Sequence, residues 1–276
     1  GQADLGEAVR SLPQNFAGGQ NPGIGTSQGT ANANVNGASS VNLLGMGPNA
    51  TLTLLNGNRI SYTGVNAAID ISAIPVVAVE RFDVITDGAS AIYGADAVAG
   101  VVNVVLRRDY DGASIGARLG SSTDGGSFQQ QYNAVVGHTW RSGSILAAYD
   151  YLTNTAVFVR NRSYATGMAP DSTLYPNLTR HSGVVTLAQE LTSHLRATAD
   201  FLYKDTKSYS ATGYNASTSV LANGGTTDAR SKTLSVAPSL EMDLGESWTA
   251  KLVASYGYDK THTNGDIYFG GSRFGS

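Results

Sequence analysis

The residues of this chain that could carry chemistry are few, and their surroundings argue against catalysis. Gly25, Ser27 and Gly29 have the G-x-S-x-G spacing of a nucleophile elbow. Such an elbow requires a strand before the serine and a helix after it. Here the motif lies within residues 15–40, a run dominated by Asn, Gly, Gln, Ala and Ser that is too polar to pack as a core. We therefore do not expect Ser27 to be a nucleophile.

The titratable residues give no stronger indication of a catalytic or metal site. The four histidines lack metal-site spacing, and strand patterns account for most of them: His138, His181, His194 and His262. Asp83, Asp87 and Asp96 are close in sequence, but Asp87 and Asp96 lie beside turns, where aspartate stabilises the local backbone. No phosphate-binding loop or dinucleotide fingerprint is present. The sequence predicts no catalytic residue, no metal, no cofactor and no enzyme activity.

Composition favours an all-β protein with many turns. Of the 276 residues only 14% are charged and 33 are Gly, and the net charge of −3 provides no basic surface for nucleic acid. The chain has no Cys, so it contains neither disulfides nor thiolate metal sites. No window approaches about 18 continuous apolar residues, so no transmembrane helix is predicted.

The region from residue 113 onward alternates apolar and polar residues over long segments. In residues 194–205, for example, Ala199, Phe201 and Tyr203 share one face, opposite Asp200 and Lys204. The same pattern runs through residues 130–141, 144–152, 234–244 and 248–258. Alternation over about ten residues is the pattern of transmembrane β-barrel strands, whereas strands of soluble sandwiches usually have five or six residues. Aromatic residues near the strand ends would form the interfacial girdles: Trp140, Tyr151, Tyr203, Trp248 and Tyr258.

The connections between these segments also fit an outer-membrane barrel. Short turns are predicted at residues 124–126, 141–143, 191–193 and 244–246, and long polar connections at residues 153–179 and 207–228. Outer-membrane barrels have short turns at one end and long loops at the other.

The sequence of the N-terminal region predicts a small α+β unit. A short helix is predicted through Leu12, and Asn56-Gly57 predicts a type I′ hairpin over residues 51–60. Residues 76–108 then predict a strand over 76–86, one helical turn over 89–93 with Gly94 as its left-handed stop, and a second strand over 101–106.

The sequence of residues 80–109 closely resembles the C-terminal half of the plug domain of TonB-dependent outer-membrane receptors. It reads ERFDVITDGASAIYGADAVAGVVNVVLRRD. The matching residues are Glu80, Arg81, Gly88, Ala91, Tyr93, Gly94, Ala99, Gly100, Val101, Asn103 and Val104. The resemblance implies an α+β plug domain over residues 1–110, followed over residues 111–276 by antiparallel transmembrane β-barrel strands. With seven or eight strands against the 22 of the family, the barrel would be partial, and we expect the chain to be incomplete and to lack a TonB box.

The resemblance also implies a function, which is TonB-dependent import of a scarce nutrient across the outer membrane of a Gram-negative bacterium, with plug rearrangement opening the barrel. The implied partners are the TonB-ExbB-ExbD complex, outer-membrane lipid or lipopolysaccharide, the remaining barrel portion (from the same gene product or a cleaved second chain), and a small ligand such as a siderophore, cobalamin or oligosaccharide. Residues 14–40 contain no charged side chain, which favours a neutral ligand such as a glycan. The ligand contacts implied in the apical loops of the plug are Gln20, Asn21, Asn34, Tyr62 and Asn66.

Two other classes of protein remain as alternatives. A surface-exposed β-rich adhesin would explain the Gly, Asn, Ser and Thr content, but it predicts a regular repeat length that is not seen. A passive porin-like barrel would explain the alternating strands but not a globular domain before them.

Overall fold

The computed structural model describes residues 5–13, 15, 38–60, 69–86 and 89–275. Two β-sheets dominate this part of the chain, a four-stranded sheet near the N-terminus and a nine-stranded sheet after it. No helix among the described residues has the length and apolar character needed to cross a bilayer.

The N-terminal region that contains the four-stranded sheet is built from short elements. The helices and strands of this region are α1 Leu5–Arg10, β1 Thr51–Leu55, β2 Asn58–Arg59, β3 Val79–Ile85, α2 Ala89–Tyr93 and β4 Gly100–Leu106. The strand order is β2-β1-β4-β3, in which β1 and β4 are parallel and the other pairs are antiparallel. Short 3-10 helices cover Pro48–Ala50, Ile71–Ala73, Val76–Ala78 and Ala95–Ala97. The hairpin prediction is confirmed, because Asn56 and Gly57 have φ angles of 50° and 78° and join β1 to β2.

Two details of the predicted strand–helix–strand unit are wrong. The first strand begins at Val79 and not at Val76, because Val76–Ala78 forms a 3-10 turn in which the Ala78 amide donates to the Pro75 carbonyl at 3.0 Å. Gly94 has a positive φ of 90°, but its ψ of −171° is not the left-handed helical value. It therefore starts the 3-10 helix Ala95–Ala97 instead of capping α2 in the left-handed conformation.

The nine-stranded sheet is antiparallel and open. Its strands are β5 Gly112–Gly120, β6 Gln129–Trp140, β7 Gly143–Asn154, β10 Asn177–Thr192, β11 Leu195–Gly213, β12 Asn223–Gly245, β13 Trp248–Val253, β14 Tyr256–Phe269 and β15 Ser272–Gly275. β5 and β15 form its two edges, and β13 and β14 both pair with β12, with a break at residues 254–255. The pair β8 Val157–Phe158 and β9 Thr173–Tyr175 lies inside the connection from β7 to β10, next to the 3-10 helix Val159–Asn161.

Several predicted boundaries of this sheet need correction. The long polar connection predicted over residues 207–228 is wrong, because β11 continues to Gly213, β12 begins at Asn223, and only residues 214–222 connect them. This part of the ladder is held by backbone pairing between strands that lack an apolar face, so alternation could not reveal it. The predicted turn at residues 124–126 belongs to the end of the sheet where the long connections lie, since β5 starts opposite Gly137, near the tight turn after β6.

The faces of the large sheet are inverted relative to those of a soluble sandwich. Apolar side chains point outward, where Ile115 is 88% and Leu252 70% exposed. Polar and charged side chains of the alternate positions point toward the four-stranded sheet, where Lys204 is 0% and Arg180 1% exposed. A sheet with this polarity is suited to an apolar environment outside it and a polar one inside it.

Outward-facing aromatic residues lie at two levels of the sheet. Trp140 and Trp248 are close to the tight turns, while Tyr132 is eight residues back along β6 from Trp140 and stacks with Tyr151 of β7 at 6.3 Å between ring centroids. Eight residues span roughly 26 Å along a strand. The separation therefore fits the apolar band of about 25 Å that is flanked by aromatic girdles.

One hydrophobic core joins the two sheets. Leu146, Val184 and Leu202, all on the inner face of the large sheet, are buried together with Ile71 and Ile74 of the N-terminal region. This contact explains why Leu146 interrupts the polar face of β7, since it packs against the N-terminal region and not against solvent. The N-terminal region thus packs against the inner face of the large sheet.

We expect Gly100→Val to unfold the four-stranded sheet, whereas Gly94→Val should cost only backbone strain. Both residues have positive φ angles, but a Cβ at Gly100 would clash with the Ile85 carbonyl oxygen and lie 2.9 Å from Leu43, while a Cβ at Gly94 meets nothing within 4 Å. The strain at Gly94 should cost about 1–3 kcal/mol, and the loss at Gly100 should be larger. Hydrogen exchange of the β1 and β4 amides measures both, and equal effects would contradict this placement.

Candidate functional site

The ligand contacts expected from the resemblance cannot be placed. Gln20, Asn21, Asn34, Tyr62 and Asn66 all lie outside the described residues, as do Ser27 and Gly88. These assignments therefore stay predictions. The rest of the motif is described, and it shows what those residues do for the fold.

The motif residues within the described region stabilise the small sheet. Asn103 accepts a hydrogen bond from the Gly57 amide at 2.8 Å and donates to Asp83 at 3.4 Å, so it ties the β1–β2 turn to β3. Arg81 pairs with Glu80 at 2.9 Å and with Asp83 at 3.1 Å. The Tyr93 carbonyl accepts from Arg59 at 2.7 Å. None of these contacts forms a catalytic arrangement.

A buried ion pair joins the two sheets. Lys204 of β11 donates to the Oδ2 atom of Asp70 at 2.6 Å, and the two side chains are 0% and 3% exposed. Asp70 is also the N-cap of the 3-10 helix Ile71–Ala73, where its Oδ1 atom accepts from the Ser72 amide at 3.0 Å and the Ser72 hydroxyl at 2.6 Å. The Ser39 amide donates to the same oxygen at 2.9 Å. One carboxylate therefore organises two loops of the small sheet and anchors them to the large one.

The electrostatics of this pair favour the charged form of Asp70. Burial raises the pKa of its carboxyl, but the charge of Lys204, together with hydrogen bonds from Lys204, Ser39 and Ser72, outweighs burial. The net result is a pKa below the usual value of 3.8. A carboxylate that accepts several hydrogen bonds beside a cation stays ionised even in a buried position.

A second polar contact between the two sheets, or tether, lies on β11 four residues before Lys204. Asp200, whose side chain is 1% exposed, accepts from Asn56 at 2.9 Å and from Thr186 at 2.6 Å, and Arg108 lies 3.9 Å away. Asn56 also accepts from the Leu106 amide at 2.9 Å. The β1–β2 turn, the end of β4 and strand β11 are thereby held at one point.

Other buried polar residues extend the inner face of the large sheet beyond these tethers. Asp150 and Gln131 are 4% and 5% exposed, and Gln131 donates to Asp150 at 2.7 Å. Arg180 lies on the neighbouring strand β10 and is 1% exposed. In the part of the chain that the structure describes, no group of acidic or histidine side chains is arranged to bind a metal ion. The site is a polar, hydrogen-bonded contact surface between two folded units.

The sequence analysis identified the face of Lys204 but not its partner Asp70. The alternation of β11 placed Asp200 and Lys204 on the polar face, and the structure confirms that placement. Asp70 was missed, although its spacing to Ser72 is the signal of an aspartate that caps a turn.

Comparison with known proteins gives a family match for the N-terminal part of the chain and a fold match for nearly all of it. Residues 1–101 match the family model described as TonB-dependent Receptor Plug Domain. Three solved structures share the fold. A mutant of the ferric enterobactin receptor PfeA from Pseudomonas aeruginosa is 13% identical, with a TM-score of 0.52 over 96% of this chain and 48% of its own. The siderophore receptor PirA from Acinetobacter baumannii is 17% identical, with 0.52 over 96% and 42%. The ferric citrate transporter FecA is 11% identical, with 0.55 over 100% and 46%. The chain thus spans less than half the length of these structures.

We expect Asp70→Asn to loosen the contact between the sheets by about 3–5 kcal/mol, because it leaves the Lys204 ammonium buried without its counter-charge. The measurement is hydrogen exchange of the amides in residues 69–79. Asp96→Asn is the matched control, since it breaks the exposed pair with Arg59 at 2.6 Å and should cost no more than about 1 kcal/mol. Equal effects of the two substitutions would show that the buried pair is not a tether.

The same contact should weaken in acid. Since the pKa of Asp70 is lowered in the folded state, its stabilising contribution is complete above the unfolded pKa and is lost as pH falls through the folded pKa. Exchange in residues 69–79 should therefore rise as pH falls below about 4, after correction for intrinsic exchange rates. The Asp70→Asn variant should show a flatter profile, and a profile identical to that of the unchanged protein would contradict the assignment.

Proposed function

We propose, from the premise that this chain carries the plug domain of the TonB-dependent receptor family, that it is part of an outer-membrane receptor of a Gram-negative bacterium that actively imports a scarce nutrient. The observation that carries the proposal is a plug domain held against the polar inner face of the large sheet by a buried ion pair and a buried hydrogen bond. A passive porin does not require such a domain. An adhesin exposed to water would not be expected to have an apolar outer face.

We place the boundary between the plug and the barrel near residue 110, with residues 111–276 supplying the first strands of a 22-stranded barrel. The open edges at β5 and β15 support this, because an unpaired strand edge in a bilayer would leave backbone groups without hydrogen bonds. The remaining barrel portion, from the same gene product or a second chain, would pair with both edges.

The polar inner face supports a moving plug. Ligand would bind at the outer apex of the plug, and the TonB-ExbB-ExbD complex would supply work from the inner membrane. As the plug moves away from the large sheet, the Asp70–Lys204 and Asn56–Asp200 contacts would be exchanged for contacts with water. The inner face left behind remains polar, so a hydrated path would open in place of an apolar wall.

The ligand class is inferred from the resemblance and from composition. Siderophore, cobalamin and oligosaccharide are the classes that we carry forward, and Gln20, Asn21, Asn34, Tyr62 and Asn66 are the contacts that we propose. The uncharged composition of residues 14–40 supports a neutral ligand such as a glycan. The solved structures named above are receptors for ferric enterobactin, siderophore and ferric citrate by their own descriptions. We propose no catalytic activity and no cofactor.

Transport is tested by uptake in cells that express the complete receptor. We expect accumulation of one radiolabelled ligand from a panel of ferric siderophores, cobalamin and oligosaccharides, and we expect it to stop with a proton uncoupler or without TonB. Uptake that survives both treatments would identify a passive pore and overturn the proposal.

The barrel assignment predicts a difference between the two faces of β11. Ala199→Arg places a charge on the outward face, between Leu187 of β10 and Pro238 of β12, and should destabilise the inserted protein by roughly 2–4 kcal/mol near the bilayer midplane. Thr198→Arg is the matched control on the inner face and should cost far less. Leu252→Arg and Lys251→Arg repeat the comparison on β13.

The measurement is the free energy of unfolding from lipid vesicles in a denaturant titration. If arginine lowers the free energy of unfolding equally on the outward and inner faces, the barrel assignment is wrong. A membrane would penalise arginine on the outward face only.

A further inference from the structure

We propose that an uncharged oligosaccharide binds the inner face of the large sheet where β11, β12 and β14 extend toward the long connections. We call this surface the upper inner wall. It consists of every second residue of 206–212 in β11, 223–231 in β12 and 261–269 in β14, because these residues share the face of Lys204 in the strand ladder. The inference rests on the proposed function in one respect, namely that an imported ligand passes along the inner face.

The two faces of these three strands differ in charge. The upper inner wall contains no Asp, Glu, Lys or Arg, and all of its residues are described. The outward positions of the same strands include Lys207, Asp228, Arg230, Lys260 and Asp266. An anionic ligand is bound best by basic side chains, and a cationic ligand by acidic ones. The upper inner wall therefore favours a ligand without charge.

Hydroxyl groups dominate the deep part of the wall. Thr206, Ser231 and Thr261 lie opposite one another in one row across β11, β12 and β14. Thr206 and Ser231 are buried, and the hydroxyl oxygens of all three residues have no hydrogen-bond partner among the described residues. A buried hydroxyl that lacks a partner costs free energy, and each hydroxyl can both donate and accept. A ligand rich in hydroxyl groups would supply these partners as it passes, whereas an apolar ligand would not.

Aromatic side chains form the rim of the wall, and all of them are exposed. Phe269 ends β14, and the ring of Tyr214, which follows β11, lies 6.3 Å from it between centroids. A Cβ added to Gly225 would lie 3.2 Å from the Tyr214 hydroxyl oxygen, so this ring extends over a glycine on the inner side of β12. Ile267 and Phe274 lie opposite each other and continue the apolar surface to β15.

Aromatic rings above a hydroxyl-lined wall suit a chain of sugars. A pyranose has a face of C–H bonds that packs on an aromatic ring, and hydroxyl groups at its edge that exchange hydrogen bonds with serine and threonine. The rows of Thr206 and Thr212 are six residues apart, or about 20 Å along a strand, so several sugar units can contact the wall in succession. An anionic aromatic chelate would also stack on Tyr214 and Phe269, but its charge would find no partner on this wall.

The test uses the complete receptor in a detergent without a sugar headgroup, and isothermal titration calorimetry gives the dissociation constants. The uncharged probes are maltohexaose, xylohexaose, mannohexaose and galactohexaose, and the charged probes are hexagalacturonate and ferric enterobactin. We expect at least one uncharged hexasaccharide to bind at least tenfold more tightly than both charged probes. Failure of all four uncharged sugars to bind, or tighter binding of a charged probe, would overturn the assignment.

Variants then locate the bound sugar. We expect Tyr214→Ala with Phe269→Ala to weaken binding of that hexasaccharide on the order of tenfold, since each aromatic contact contributes about two- to tenfold. Tyr209→Ala with Tyr268→Ala is the matched control, because it removes two tyrosines from the outward face of β11 and β14, and it should leave the dissociation constant unchanged. Equal effects of the two double variants would show that the sugar is not held at the rim.

Binding and uptake separate this inference from the proposed function. A receptor that binds a hexasaccharide at the rim but accumulates it without TonB would refute active import and leave the site standing. A receptor that imports ferric enterobactin with TonB but binds no uncharged sugar would refute the site and leave active import standing.

Discussion

The buried ion pair between Asp70 and Lys204 is the interaction on which the arrangement of the two sheets depends. It sits at the edge of a shared apolar core, so the ions are shielded from water and their alignment is fixed by surrounding packing. A buried pair is seldom a better stabiliser than apolar residues of similar volume. We infer that it contributes specificity, because Asp70 also orders Ile71–Ala73 and the segment at Ser39, so a shifted docking geometry would cost the carboxylate some of its partners.

Under the proposed function, the polar contacts between the sheets fit what the inner face would have to do when the plug is displaced. An apolar contact of equal strength would leave an exposed apolar surface after separation. That surface would favour reassociation of the two units and would hinder passage of a polar solute. Asp200 and Lys204 can be hydrated on separation, whereas Leu146 and Leu202 supply a small apolar contact that fixes the docked position. Under the proposed function, polar contacts around a limited apolar contact would make docking specific and would leave a face that water can hydrate after separation.

The sequence predicted elements in which one local rule decides the outcome. The positive φ angles of Asn56 and Gly57 allow a single tight hairpin, and period-two alternation placed Phe201 outside and Asp200 inside. Prediction failed where longer-range pairing decides, as in residues 208–213 and 223–228, whose strands are held by partners and not by an apolar face. Asp70 was missed because its role depends on Lys204, 134 residues away. The contacts proposed for Gln20, Asn21, Asn34, Tyr62 and Asn66 remain predictions from resemblance.

Strand β11 contributes to both faces of the large sheet within three residues. Tyr203 points outward into the row that it forms with Leu234 and Tyr258, whereas Lys204 points inward to Asp70. Asp205 points outward again and accepts two hydrogen bonds of 2.9 and 2.6 Å from the Arg230 guanidinium. Because these contacts share one short piece of backbone, the position of Lys204 is fixed from both sides of the sheet. If the N-terminal region is displaced, we therefore expect the Lys204 side chain to rearrange while the strand keeps its place.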